Sequence, residues 1–119
     1  MDLNNAAHTH AQWKVKLRAA IAKREQMDIA TLSRDDCCEL GQWLHGEGRA
    51  QFGRLVSHTD CVKKHVVFHA EVAKVAMAVN AARYQAAETM LGAGTPYAHA
   101  SRALAVAFMN LRNEANLCG

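Results

Sequence analysis

The sequence contains a single proline in 119 residues, only 6% aromatics, and no apolar run near the roughly 20 residues that span a bilayer. A membrane-spanning protein is therefore not expected. Nor is a disordered chain, because half of the residues are apolar and only 21% are charged. No CxxC pair occurs among Cys37, Cys38, Cys61 and Cys118, which excludes zinc ribbons and thioredoxin-type redox motifs. Without CxxCH there is no covalent c-type haem, and without HExxH no zinc-protease signature. The N-terminal Met1-Asp2-Leu3-Asn4-Asn5 lacks the charged-then-apolar layout of a signal peptide, so the expected location is cytoplasmic and the cysteines are read as thiols. Neighbouring Cys37 and Cys38 make a poor disulfide, since their side chains diverge and a bridge strains the peptide. Charge is also sparse. The first 60 residues balance eight basic against eight acidic side chains, and the remainder carries six against three. The net +3 forms no basic stripe for nucleic acid and no polybasic cluster for acidic lipid.

What is present favours helix. Ala, Leu, Lys, Glu, Gln, Arg and Met dominate, and alternating β-branched stretches are missing. The expectation is an all-α, up-and-down helical bundle of about four main helices with short helical segments, forming a single domain over residues 1–119. A first helix is expected from Asn5 to Ile29, with His10, Trp13, Leu17 and Ile21 on one face. Ser33 is the expected N-cap of a shorter helix carrying Cys38, Gly41, Trp43 and Leu44, with Asp35 and Asp36 in its first turn. Gly46 and Gly48 interrupt that helix, and Arg49 to Val56 form another short piece. Thr59 or Asp60 then caps a long helix reaching Leu91. Its buried stripe is Cys61, His65, Phe68, His69, Val72, Val75, Ala76 and Val79. Thr95-Pro96 restarts the chain as a last helix burying Tyr97, Ala100, Leu104, Ala107 or Phe108, and Leu111.

Seven histidines and four cysteines in so short a chain carry the chemistry. His65 and His69 stand four apart, so in a helix both project from one face and suit two ligands of a tetrahedral metal. Alone, the pair is better read as two partly buried histidines satisfied by backbone or water. His10 lies in the apolar stripe of the first helix, where its ring needs a partner. Cys38 precedes Gly41 and Trp43, and a glycine inside a helix costs about 1 kcal/mol relative to alanine, consistent with a close helix approach. A metal site in this chain must mix cysteine with histidine.

The ordered set His10-x-x-Trp13, Cys38-x-Leu40-Gly41-x-Trp43 and His65-x-x-x-His69 resembles the chemoreceptor zinc-binding (CZB) domain family over residues 10–69. Members of that family are helical bundles in which one cysteine and three histidines hold a zinc ion. The resemblance implies Zn2+ bound by His10, Cys38, His65 and His69, with Trp13, Gly41 and Trp43 supporting the site. It further implies a regulatory zinc-binding protein, not an enzyme and commonly a homodimer, that senses zinc or oxidants such as hypochlorous acid through Cys38. The family occurs on chemoreceptors and diguanylate cyclases. This chain shows no signalling coiled coil and no cyclase domain, so its output is expected to pass in trans to a partner of one of those kinds.

Other residues have plainer expectations. Cys37 is a second thiol beside the motif, but Cys38 has the motif spacing to Gly41 and Trp43. Cys61 is a small core residue or an alternative ligand, and Cys118 is chemically idle. His8, His45, His58 and His99 are expected at the surface or at helix ends, with His8 a stand-in for His10. Lys63 and Lys64 belong to a solvated face. Two competing functions remain open: a metal-free helical interaction module, and a di-metal bundle enzyme or oxygen carrier. The latter class wants inward carboxylates or Glu-x-x-His pairs, whereas the acidic residues here lie at helix ends or among basic ones.

Overall fold

A computed structural model describes residues 1–115, so Cys118 lies outside the described residues. Within them the protein is an all-α bundle without a strand. The helices are α1 (Leu3–Ala11), α2 (Trp13–Lys23), α3 (Ile29–Leu32), α4 (Glu39–His45), α5 (Glu47–Phe52), α6 (Val56–Asn80), α7 (Tyr84–Met90) and α8 (Pro96–Glu114). No helix of the described residues is long and apolar enough to cross a membrane.

Three long columns build the core. Asp2 caps the first by accepting the Asn4 and Asn5 amides at 3.0 and 3.1 Å. α2 follows α1 almost without a break and ends at Lys23, well short of Ile29. There Arg24 takes the left-handed conformation at φ 55°, and the Glu25 and Arg24 amides return to Ala20 and Ile21. This is a Schellman ending without its usual glycine. The Arg24 guanidinium lies 5.1 Å from the centre of the Tyr84 ring, a tertiary contact that favours the turn. The second column, α6, buries the whole expected stripe from Cys61 to Val79. The third, α8, begins at Thr95, whose hydroxyl accepts the Ala98 amide at 3.2 Å, and buries Tyr97, Ala100, Leu104, Ala107, Phe108 and Leu111. α8 runs antiparallel to α6, because Glu114 at its end accepts the amide and hydroxyl of Ser57 at 3.1 and 2.8 Å. That carboxylate serves the free amides at the start of α6, which begins at Val56 without a local side-chain cap and ahead of Thr59.

The long helix expected to reach Leu91 breaks after Asn80. Ala82 adopts φ 61°, the Arg83 and Ala82 amides bond to Ala78 and Val79, and α7 folds back to bury Ala87 and Leu91. Alanine is a strong helix former, so burial of Ala87 and Leu91 overrides local preference here. Asn80 is committed elsewhere. Its side chain exchanges two hydrogen bonds with the Met27 backbone, at 2.8 and 2.9 Å, and staples the segment after α2 to the end of α6.

Between α2 and α6 the chain returns along the bundle and presents Cys38. Asp28 caps α3, and Ser33 closes it instead of opening α4. The N-cap of α4 is Cys38 itself, whose sulfur accepts the Gly41 amide at 3.3 Å; Asp35 and Asp36 precede the helix. Gly41 is required by close approach, and what approaches is loop backbone instead of a second helix. A Cβ there would lie 1.5 Å from the Asp35 carbonyl oxygen and 3.1 Å from the Asp36 Cα. Asp35 also bonds His45 through its carboxylate at 2.7 Å, so the loop before Cys38 is fixed at two points on α4. Gly41→Ala must displace this loop and should lower stability by about 1–3 kcal/mol, as overpacking does. The urea midpoint of the variant, compared with that of the unchanged protein, measures this.

Candidate metal centre

Four side chains from three parts of the chain meet in the bundle. His10 comes from the end of α1, Cys38 from the cap of α4, and His65 and His69 from successive turns of α6. One donor atom of each lies within 4.8 Å of all the others. The His65 Nε2 is 3.2 Å from His10 Nε2, 3.0 Å from His69 Nε2 and 3.3 Å from Cys38 Sγ. Cys38 Sγ is 3.7 Å from His69 Nε2 and 3.9 Å from His10 Nε2. His65 is fully buried, His69 and His10 nearly so, and Cys38 is half-buried.

The outer ring nitrogens decide which way the lone pairs point. His10 Nδ1 donates to the Ala6 carbonyl at 2.8 Å, and His69 Nδ1 donates to the Leu32 carbonyl at 3.0 Å. A carbonyl can only accept, so both rings carry their proton at Nδ1 and aim an unprotonated Nε2 inward. His65 Nδ1 is buried and has no hydrogen-bond partner. The inward nitrogens of His10 and His69 are thus acceptors, and without a cation between them they are satisfied only by a proton on His65 Nε2 or on the Cys38 sulfur.

The spacing fits a tetrahedral zinc. Arms of about 2.0–2.1 Å to nitrogen and about 2.3 Å to sulfur set nitrogens about 3.3 Å apart and sulfur about 3.6 Å from each. Three imidazoles and one thiol also match zinc's borderline-soft preference. Fixing the outer nitrogen of a ligating histidine to a carbonyl orients the ring toward the ion.

Burial sets the electrostatics. It pushes His65 down to about 3, with the neighbouring His69 and His10 adding to the effect. His10 and His69 are lowered for the same reason, opposed by their carbonyl bonds. Burial raises the Cys38 thiol, against the amides of Gly41 and Leu40 that favour its thiolate. The neutral imidazoles that a metal requires are therefore the forms the fold prefers.

The remaining expectations divide. His8, His45 and His99 are exposed, and His8 bonds Gln12 outside the cluster. His58 is not at the surface. It is 3% exposed and donates Nε2–H to the Leu44 carbonyl at 2.9 Å, linking α6 to the end of α4. Cys61 is a core residue outside the cluster, its thiol pushed up to about 12 by burial. Cys37 is exposed and turns toward Asp36, 3.7 Å away. Lys63 is exposed, and Lys64 pairs with Asp60 at 3.4 Å. Gly41 touches the cluster directly through its amide. Trp43 packs on Phe52, with Gly48 leaving room for its indole, and so braces α4 on α5. Trp13 is half-buried under the Lys16 ammonium, one turn beyond His10. Sequence reasoning missed the Ala6 and Leu32 carbonyls. The first stands four residues before His10 and was within reach of helix geometry; nothing local points to the second.

Fold and donor set together define a helical bundle organised around a thiol–imidazole centre. A family model, the chemoreceptor zinc-binding domain, matches residues 10–76, more than half of the chain, and includes all four donors. The chain belongs to this family. No curated protein and no solved structure matches it.

Removing any metal should expose the imidazoles to acid. The unfolded chain takes up protons near the ordinary histidine value of 6.5, whereas folded His65 resists until about 3. Stability is then full above about pH 6.5 and falls as the pH drops toward 3, by about 2 kcal/mol at pH 5 for His65 alone. Denaturant midpoints of chelator-treated protein at pH 7.5 and pH 5 should show the loss.

Proposed function

We propose that this protein is a regulatory zinc-binding module in which His10, Cys38, His65 and His69 hold one zinc ion. The carrying observation is the convergence of three Nε2 atoms and the Cys38 sulfur, with two rings fixed by backbone carbonyls so that their Nε2 lone pairs face inward. Bound there, zinc would supply a crosslink between α1, α4 and α6, and small structural sites of this type give apparent binding energies of about 10–16 kcal/mol.

Four protein donors complete a tetrahedron and leave no position for substrate, which favours a sensory over a catalytic role. Cys38 gives the site its sensitivity, because it is the softest donor, the least buried, and the cap of α4. Oxidation of its sulfur to a sulfenic acid weakens it both as a donor and as acceptor of the Gly41 amide, freeing the first turn of α4. The response is to zinc supply, to oxidants such as hypochlorous acid, or to both. The family's name supports an output to a chemoreceptor, and a diguanylate cyclase partner and a homodimeric state complete the reading.

The competing functions fit less well. A metal-free interaction module gives no reason for one donor atom of each of four side chains to converge within 4.8 Å. A di-metal enzyme needs inward carboxylates, and the one buried carboxylate among the described residues, Glu71, is paired with Lys74 at 2.8 Å.

Protein purified without added zinc should contain about one zinc per chain by elemental analysis. Cys38→Ala and His69→Ala should each weaken zinc binding by more than the about 10- to 100-fold that loss of an outer partner costs. Metal-free protein, or unchanged affinity in both variants, overturns the zinc reading. Mild oxidant that leaves Cys38 reduced and zinc bound overturns the oxidant branch alone.

A further inference from the structure

A cluster of basic and polar groups outside the donor set lies where α5 meets the start of α6. An open cleft of about 320 Å³ there is lined by Arg49 of α5, by Gly53 at its end, and by His58, Thr59, Val62 and Lys63 of α6. No carboxylate lines it. Asp60 is paired with Lys64 at 3.4 Å, and Glu47 bonds Gln51, also at 3.4 Å. His58 is the buried member, 3% exposed. Its Nε2–H goes to the Leu44 carbonyl at 2.9 Å, so Nδ1 carries a lone pair, and that atom has no partner among the described residues. Unlike His65 Nδ1 it is not sealed from solvent, and the ring lines the cleft. Arg49 is held at two points. One terminal nitrogen donates to His45 Nδ1 at 3.2 Å, and His45 Nε2 in turn donates to the Asp35 carboxylate at 2.7 Å. A Cβ on Gly53 would lie 3.2 Å from Arg49 Cγ, so the glycine leaves room for the arginine stem. The other guanidinium N–H groups, the Lys63 ammonium and the Thr59 hydroxyl have no partner among the described residues.

We propose that this cleft binds a small oxyanion that still carries a proton, and that free hydrogen phosphate is its ligand. The guanidinium is a planar fork suited to two oxyanion oxygens, the ammonium is a point charge, and the Thr59 hydroxyl can donate to a further oxygen. These three groups attract any oxyanion. His58 Nδ1 decides among them, because an acceptor needs a proton opposite it. Hydrogen phosphate brings an O–H at neutral pH. Sulfate and a phosphomonoester dianion bring only lone pairs and leave Nδ1 facing one of them. The anion bridges α5 to α6. Through Leu44 and Asp35, its partners also reach the end of α4 and the loop before Cys38. None of these groups belongs to the donor set, so the site stands apart from the zinc reading.

Calorimetric titration of the full chain with sodium phosphate, at pH 7.5 and fixed ionic strength, tests the site. Sodium sulfate and O-phosphoserine are the comparison ligands, and metal content is measured before and after each titration. Phosphate should bind once per chain, about tenfold more tightly than either comparison ligand. Arg49→Gln should weaken phosphate and sulfate together by about tenfold, and Lys63→Gln should weaken both in the same direction, with helicity and metal content unchanged. His58→Gln keeps a donor for the Leu44 carbonyl and removes the acceptor at Nδ1, so it should bring the phosphate-to-sulfate ratio toward one. A general loosening of the cleft weakens both anions alike, and the ratio therefore reports on Nδ1 even where stability falls. Absence of saturable phosphate binding, affinity unmoved by both charge variants, or a ratio unmoved by His58→Gln overturns the proposal. So does sulfate or O-phosphoserine bound as tightly as phosphate. Phosphate binding that disappears when folded protein is stripped by chelator places the ion on the metal and overturns it as well.

Discussion

The structure depends on the convergence of four polar donor atoms in a dry place. Three imidazole nitrogens and a sulfur gather within 4.8 Å, and two of the rings are held there by protons given to backbone carbonyls. In water such an arrangement would dissolve into hydration shells. Between α1, α4 and α6, water is largely displaced, and the neutral imidazoles are kept neutral by burial. An arrangement that holds neutral imidazoles and a sulfur together in a buried place, at spacings near those of a tetrahedral cation, is a preformed metal site. Its cost in the folded chain is what metal binding would offset.

This constraint reaches the fold through the segment joining α2 to α6. The first part of that return path has no buried residue of its own in α3, which is four residues long, whereas α4 buries Leu40 and Leu44. The path is held by Asn80 on the Met27 backbone, by His69 on the Leu32 carbonyl, by Cys38 at the cluster and by His58 on the Leu44 carbonyl. Two of these four anchors belong to the donor set. The part of the chain most dependent on the site is therefore also the part carrying its most reactive donor. A change at the sulfur has a mechanical consequence because the same atom caps α4 and accepts the amide of Gly41, whose missing side chain admits the Asp35 carbonyl.

Much of this was legible in residue order. Period-3.6 patterning located the buried faces of α6 and α8 residue by residue, because both helices are long and pack one face on a core. The cap-then-proline pair at Thr95 and Pro96 placed the start of α8, since both act locally. The four donors were identifiable because helix geometry puts His65 beside His69, while resemblance linked His10 and Cys38 to them. The failures occurred where distant contacts set the outcome. Arg24 and Ala82 end helices in left-handed turns that no glycine marks, one favoured by the Tyr84 ring and the other by burial of Ala87 and Leu91. α6 begins early because Glu114, nearly sixty residues away in sequence, serves its free amides. Ser33 had the chemistry of a cap, yet the sulfur of Cys38 took that place in α4.

By itself, then, the sequence determined the helical class, the burial faces and the set of candidate ligands, all of which follow from side-chain chemistry repeated at helical spacing. Only the tertiary structure decided where the His10 and His69 rings carry their protons, and that His58 is buried while His8 is not. Those outcomes depend on where a carbonyl such as that of Leu32 comes to rest, and a backbone carbonyl has no letter in the sequence.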